Sequence, residues 1–135
     1  MKKFLLLIAL ILFSVSVFSQ TKQKESYYQH KFAVAIGGQT EVRLANGTRA
    51  DIVTDKYAIE VDFGAKWAES IGQALSYGIQ LEKQAGVLLV ISGEDEIRFL
   101  ERLMAVAVEH GITVWIWNYT DDTWSKIDYK LTYLY

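Results

Sequence analysis

The chain contains no cysteine, no proline and only two histidines. Without cysteine there is no disulfide framework, no thiolate metal site and no cysteine nucleophile, so stability has to come from packing. Neither His30 nor His110 has an evident serine partner, and no nucleophile-elbow glycine pattern occurs, which argues against Ser/His/Asp catalysis. No proline, linker, low-complexity tract or internal repeat divides the chain. A basic surplus is lacking too, with 14 Lys and Arg against 16 Asp and Glu. Bulk electrostatics therefore gives nucleic-acid binding no help.

What is present is a large apolar content, 51% of 135 residues, enough for the core of a single domain. The N-terminus has the order of a signal peptide. The basic pair Lys2 and Lys3 precedes ten uninterrupted apolar residues, Phe4 to Phe13, and small residues follow at Ser14, Ser16 and Ser19. Spanning a bilayer takes roughly 20 apolar residues, so the run predicts a cleaved segment and no stable membrane anchor after cleavage. The expected cut after Ser19 makes residues 1–19 the signal peptide and residues 20–135 one domain, exported to the periplasm or secreted. Losing Lys2 and Lys3 leaves 12 basic residues against 16 acidic ones, a net charge of −4.

The domain opens with a predicted helix from Lys24 to Ile36, where Tyr28, Phe32 and Ile36 recur at helical spacing before Gly37-Gly38. Thr40 to Leu44 and Thr48 to Thr54 read as strands joined by Asn46-Gly47, the dipeptide suited to a two-residue type I′ hairpin. Tyr57 to Phe63 is a third strand after Asp55-Lys56. Lys66 to Leu81 is a helix whose Trp67, Ile71, Ala74, Leu75 and Gly78 form an apolar stripe. Val87 to Ile91 reads as an interior parallel strand. Ser92 and Asp95 suggest a capping box for a helix from Glu94 to His110, closed by Gly111. Ile112 to Asn118 is another strand. The tail from Ser125 alternates through Ile127, Tyr129, Leu131, Tyr133 and Tyr135, an added edge strand returning through Asp121-Asp122. The expected class is α/β, a mixed sheet with helices in the order αβββαβαβ plus a C-terminal edge strand.

A two-residue turn at Asp55-Lys56 would set Asp51 across from Glu60 and Arg49 across from Asp62. Opposed carboxylates with Cβ atoms roughly 4.5–5.5 Å apart need relief, which a divalent cation supplies. Tyr57, Ile59, Val61 and Phe63 form the apolar face of that strand, so Ala58, Glu60 and Asp62 are expected to line a groove or meet solvent. Oxygen donors without cysteine or clustered histidine point to Mg²⁺ or Mn²⁺. On the next helix Lys66, Ser70, Gln73 and Tyr77 share one side and would overlook the carboxylates. Together these are the parts for phosphodiester hydrolysis.

The stretch Gly47-Thr-Arg-Ala-Asp51, Ala58-Ile-Glu60-Val-Asp62 and Lys66 through Gln73 to Tyr77 resembles the PD-(D/E)XK nuclease superfamily, whose fold is the restriction-endonuclease-like one. The Gln73-x-x-x-Tyr77 spacing is similar to the helix motif of the RecB-like branch. The resemblance covers about Glu25 to Asn118. It implies that Asp51 and Glu60 are catalytic metal ligands, that the Val61 carbonyl completes the site, and that Glu25 matches a helix-borne glutamate, with Glu41 a competing acid. Gln73 and Tyr77 would orient the site or touch a DNA or RNA backbone, with Arg49 beside them. The family lysine belongs two residues after Glu60, where this chain has Asp62. Lys66 is placed to substitute, and Asp62 is then either a third ligand or the partner of Arg49. The oligomeric state stays open, a homodimer included.

Plainer readings stand beside these. Asp51 and Glu60 would form a surface ion-pair cluster with Arg49 and Lys66, and Gln73 with Tyr77 a local hydrogen-bonded pair or solvated face. Trp115 and Trp117 share a strand face suited to core packing or to base stacking. His110 suits a helix C-terminus, and Glu94-Asp95-Glu96 a helix start. A catalytically inactive nuclease-fold relative, serving as a binding or interaction module in the cell envelope, is the alternative to an enzyme. A structural envelope protein without metal is the third.

Overall fold

The computed structural model describes residues 21–129. The expected signal segment and the part of the tail strand from 130 to 135 lie outside the described residues. Helix α1 (Glu25–Ile36) ends on Gly37, whose φ of 70° is the left-handed conformation glycine adopts without strain. Strands β1 (Gln39–Arg43) and β2 (Arg49–Val53) pair antiparallel. Their connection is not the two-residue turn that Asn46-Gly47 suggests. Of these two only Gly47 has positive φ, and Gly47 N–H donates to the Leu44 carbonyl at 3.0 Å. Asn46 instead accepts at Oδ1 from the Thr48 N–H and hydroxyl. The asparagine side chain thus stabilises a longer loop in which glycine alone supplies the left-handed residue.

Strand β3 (Tyr57–Phe63) follows through the expected tight turn, with Thr54 N–H donating to the Tyr57 carbonyl at 2.9 Å. A 3₁₀ turn, Gly64–Lys66, leads into α2 (Trp67–Leu81). Strand β4 (Gln84–Ile91) runs parallel to β3, then α3 (Ile97–Ala107) and β5 (Thr113–Asn118), parallel to β4. Strand β6 (Thr123–Lys126) closes the edge antiparallel to β5. Tail pairing thus begins two residues earlier than the alternation predicts and the strand ends at Lys126, so Ile127 and Tyr129, expected in the strand, lie beyond it. The molecule is a mixed α/β fold with a six-stranded sheet in the order β1-β2-β3-β4-β5-β6.

The sheet order places the helices. Successive right-handed crossovers from β3 to β4 to β5 move in one direction and put α2 and α3 on the same face. Their Ala74, Leu103 and Met104 pack against Val87, Leu89 and Val114. Helix α1 covers the opposite face, where Tyr28 and Phe32 meet Ile59, Val61, Leu88 and Val90. Trp115 and Trp117 belong to that second core, with ring centroids 5.5 Å from that of Phe32 and 5.7 Å from that of Tyr28 in edge-to-face contact. They are packing residues, not a stacking platform. Strand β4, covered on both sides, is buried from Ala85 to Ile91, which accounts for its continuous apolar run.

The start of α3 differs from expectation. Gly93–Glu96 forms a 3₁₀ turn and the α-helix begins at Ile97. Ser92 does not cap with its side chain; its N–H donates to the Glu96 carboxylate at 2.8 Å, so Glu96 takes the role assigned to Asp95. His110 lies beyond the helix end, and His30 is exposed, its ring Nδ1 2.7 Å from the Ser26 carbonyl.

Gly78 sits where α2 turns back onto the sheet. A Cβ there would meet the Lys83 carbonyl oxygen at 2.9 Å and the Ala85 nitrogen at 3.2 Å. Backbone atoms cannot swing aside as a side chain can. Gly78→Ala is therefore expected to destabilise the fold by about 1–3 kcal/mol, despite the better helix propensity of alanine. Urea unfolding checks this, and an unchanged midpoint would contradict it.

Candidate functional site

The site lies where β2 and β3 part. Their ladder pairs Ile52 with Ile59 and Val53 with Ala58, the register expected from the turn, and runs no further. Beyond it the Asp51 side chain replaces a backbone acceptor, its Oδ2 taking the Val61 N–H at 2.8 Å. The carboxylate is thereby fixed beside Glu60. The Asp51 carbonyl accepts from the Gln29 side-chain amide of α1, also at 2.8 Å.

The acidic face of β3 does not look into a groove or solvent as its alternation suggests. Helix α2 folds back over it. Ala58 packs with Tyr77, and Glu60 and Asp62 are only 5% and 3% exposed. The reason is topological: the crossover that makes β4 parallel to β3 lays α2 across the face a free hairpin would show to water. Glu60 Oε2 and Asp62 Oδ2 are buried without any hydrogen-bond partner. Burying carboxylate oxygens this way costs free energy unless another positive or donor group supplies the missing interaction.

The protonation behaviour follows. Burial pushes Glu60 well up, and the charges of Asp51 and Asp62 push it further. Asp62 rises to about 7 through burial and then through Glu25, with Lys66 opposing. Burial also raises Asp51, which the Val61 N–H partly offsets, while Glu25 and Glu41 add to the rise. Glu25, half-buried at the start of α1, is raised by its own burial against the pull of Lys66. Four carboxyls from α1, β2 and β3 thus share one region, as the sequence reading placed Glu25, Asp51, Glu60 and Asp62.

Lys66 reaches back across the 3₁₀ turn, its Nζ 3.6 Å from Asp62 Oδ1, with a half-exposed side chain. The Asp62 charge is the main reason its ammonium is held above the ordinary lysine range. Tyr77 donates its hydroxyl to Gln73 Oε1 at 3.1 Å. Burial and then Glu60 and Asp51 push that phenol to about 12, so it stays a donor. The structure brings Lys66, Gln73 and Tyr77 to the carboxylates. Ser70 is fully buried, and its hydroxyl donates to the Trp67 carbonyl of its own helix at 2.7 Å.

Arg49 is a correction as well. It pairs with Glu41 of β1, not with Asp62. Arg49 lies past the point where β2 and β3 part and stays in register with Arg43 on β1, so it sits beside Glu41. The surface ion-pair reading loses its main cation with this, and no described Lys or Arg forms an ion pair with Asp51 or Glu60. Sequence reasoning missed Gln29, a buried amide bridging Glu41 Oε1 and the Asp51 carbonyl. Its signal was available: it follows Glu25 by four residues and so shares that helix face.

Among the described residues, no three acidic or histidine side chains are drawn together as a finished cation cage. The donor type, carboxylate oxygen throughout, is the one hard divalent ions take. Two buried carboxylate oxygens lack partners, a third carboxylate is fixed by a backbone N–H, and every donor is oxygen. Comparison with known proteins adds no relative: no family profile, curated protein or solved structure matches the chain.

Proposed function

We propose that the chain is an exported, divalent-cation-dependent phosphodiesterase of PD-(D/E)XK type acting on nucleic acid. One observation carries this reading: Glu60 Oε2 and Asp62 Oδ2 are buried and partnerless next to an Asp51 fixed by the Val61 N–H. Asp51, Glu60 and Asp62 would hold Mg²⁺ or Mn²⁺, with Glu25 at the margin. Such an ion supplies Lewis acidity toward a phosphoryl oxygen and makes bound water more acidic.

The remaining tasks fall to the chain itself. Lys66 keeps an ammonium at the rim, tethered by Asp62, where it balances negative charge developing on phosphoryl oxygens. Asp62 thereby does two things at the position of the family lysine: it adds a carboxylate oxygen and it holds the substitute cation. Tyr77 remains protonated beside Glu60, its hydroxyl donated to Gln73 Oε1, and the two would present an amide and a phenol to substrate. Arg49, exposed and paired to Glu41, is left to touch substrate only at the periphery.

Protein incubated with Mn²⁺ or Mg²⁺ is expected to cut single-stranded or duplex DNA or RNA, and to stop on chelation. Lys66→Ala is expected to lower the rate about 100-fold or more while leaving Mn²⁺ affinity within a few-fold, since Lys66 acts on developing charge. A second reading has its own support, because Lys66 is already engaged by Asp62 and the exported chain is acidic. Cation binding with all four substrates left intact would favour that inactive binding module over the enzyme.

A further inference from the structure

We infer that Glu41 is a positioning residue of the carboxylate site, strained so that its carboxylate fixes the Gln29 amide against the Asp51 peptide. This rests on the cation-site reading above. Thr40 pairs with Ile52 and Val42 with Ala50, so Glu41 lies across from Asp51 in the middle of β1. Its φ is 59°, a left-handed value that costs a non-glycine residue free energy. The other described non-glycine residues with positive φ are Glu82 and Asp122. Glu82 caps the end of α2, and Asp122 lies in the turn before β6, both places where this conformation is routine. Glu41 alone carries it inside a strand.

The side chain of Glu41 accounts for the placement. One carboxylate oxygen pairs with Arg49, and the other accepts from Gln29 Nε2 at 2.8 Å. The same nitrogen donates to the Asp51 carbonyl at 2.8 Å, so both amide protons of the buried Gln29 are used. A carboxylate only accepts hydrogen bonds, and it therefore dictates which end of the Gln29 amide points inward. Turned the other way, the amide would set its oxygen against the Asp51 carbonyl and push that peptide away. The chain from Arg49 through Glu41 and Gln29 to Asp51 also ties α1, which carries Glu25, to β2. Outer partners of this kind typically matter about 10–100-fold in metal affinity.

Calorimetric titration with Mn²⁺, together with thermal melts in cation-free buffer, on the protein and its Glu41→Gln, Glu41→Ala and Glu41→Gly variants tests the role. The Ala and Gly variants are expected to bind Mn²⁺ about tenfold more weakly or worse. Glu41→Gln, whose amide oxygen still accepts from Gln29, is expected to bind near the parent level. Glu41→Gly is expected to melt several degrees above Glu41→Ala, because glycine meets this φ without strain. Undiminished binding by Glu41→Ala overturns the role, as does binding by Glu41→Gln as weak as that of Glu41→Ala. A parent protein that binds no Mn²⁺ overturns the cation-site reading itself, and this role with it.

Discussion

Glu60→Gln is expected to abolish cation binding and, in the same protein, to raise the stability of the cation-free fold by about 1–3 kcal/mol at neutral pH. The two effects have one origin. Glu60 is buried at 5% exposure beside Asp51 and Asp62, and its Oε2 has no partner. Folding at neutral pH must either bury that charge among like charges or take up a proton that the unfolded chain has released. Glutamine keeps the shape, carries no charge and offers an amide N–H to the neighbouring carboxylate of Asp51. Removing the charge therefore relieves the fold while deleting a cation ligand. Glu60→Ala is the poorer variant, because it adds a cavity beneath α2. Denaturant unfolding without divalent ions gives the sign. If Glu60→Gln is less stable than the parent, the protein itself already satisfies this carboxylate and has no need of a cation.

The second large effect is a reversed pH dependence. Asp51, Glu60 and Asp62 all have folded-state pKa values raised above those of the unfolded chain, Asp62 to about 7 from 3.8. An acid raised on folding holds a proton that the unfolded state gives up. Between the two pKa values the folded state binds more protons, so stability falls as pH rises, by up to about 1.4 kcal/mol per pH unit for each group concerned. The cation-free protein is thus expected to be most stable in mild acid and to lose stability steadily from about pH 4 through 7. Glu60, raised by burial among like charges, extends the loss above that. Mg²⁺ or Mn²⁺ should cancel the loss, since deprotonated carboxylates are the form that binds. An ion at 100 times its dissociation constant adds about 2.7 kcal/mol. Melts at several pH values, each with and without cation, check both halves. A cation-free stability that climbs between pH 5 and 7 would contradict the account.

Much of this arrangement is legible in the chain alone, and the illegible parts share a cause. Tyr57 to Phe63 emerges with its bounds because alternation, aromatic ends and the Asp55-Lys56 turn agree. The same turn gives the register that brings Asp51 to Glu60. The α2 stripe from Trp67 to Gly78 is equally plain from helical spacing. What fails are statements about a second partner in space. The Glu60 and Asp62 face reads as open because a hairpin pattern cannot say that a later helix will cover it. Arg49 reads as the partner of Asp62 only if the pairing of β2 and β3 continues, and the strands separate beyond Ile52. The Asn46 loop and the Glu96 cap escape a local reading because side-chain hydrogen bonds compete with the favoured local pattern. The positive φ of Glu41 is invisible to propensity, and the side chains it meets, Gln29 and Arg49, come from other elements.

The mixed α/β fold has carboxylates on β2 and β3 with Lys66, Gln73 and Tyr77 at or along α2, and the nuclease reading of that arrangement is our proposal. On the proposed nuclease reading, Asp62 stands where the family has lysine, Lys66 supplies the ammonium four residues on, and the site gains a carboxylate. Binding and turnover can therefore be separated experimentally, and binding comes first.

The most direct test is a calorimetric titration of Mn²⁺ into the protein from Gln20 onward, beside its Asp51→Ala/Glu60→Ala double variant. The account predicts saturable binding by the parent and none by the double variant. No binding by either, or equal binding by both, would contradict a cation site built on Asp51 and Glu60.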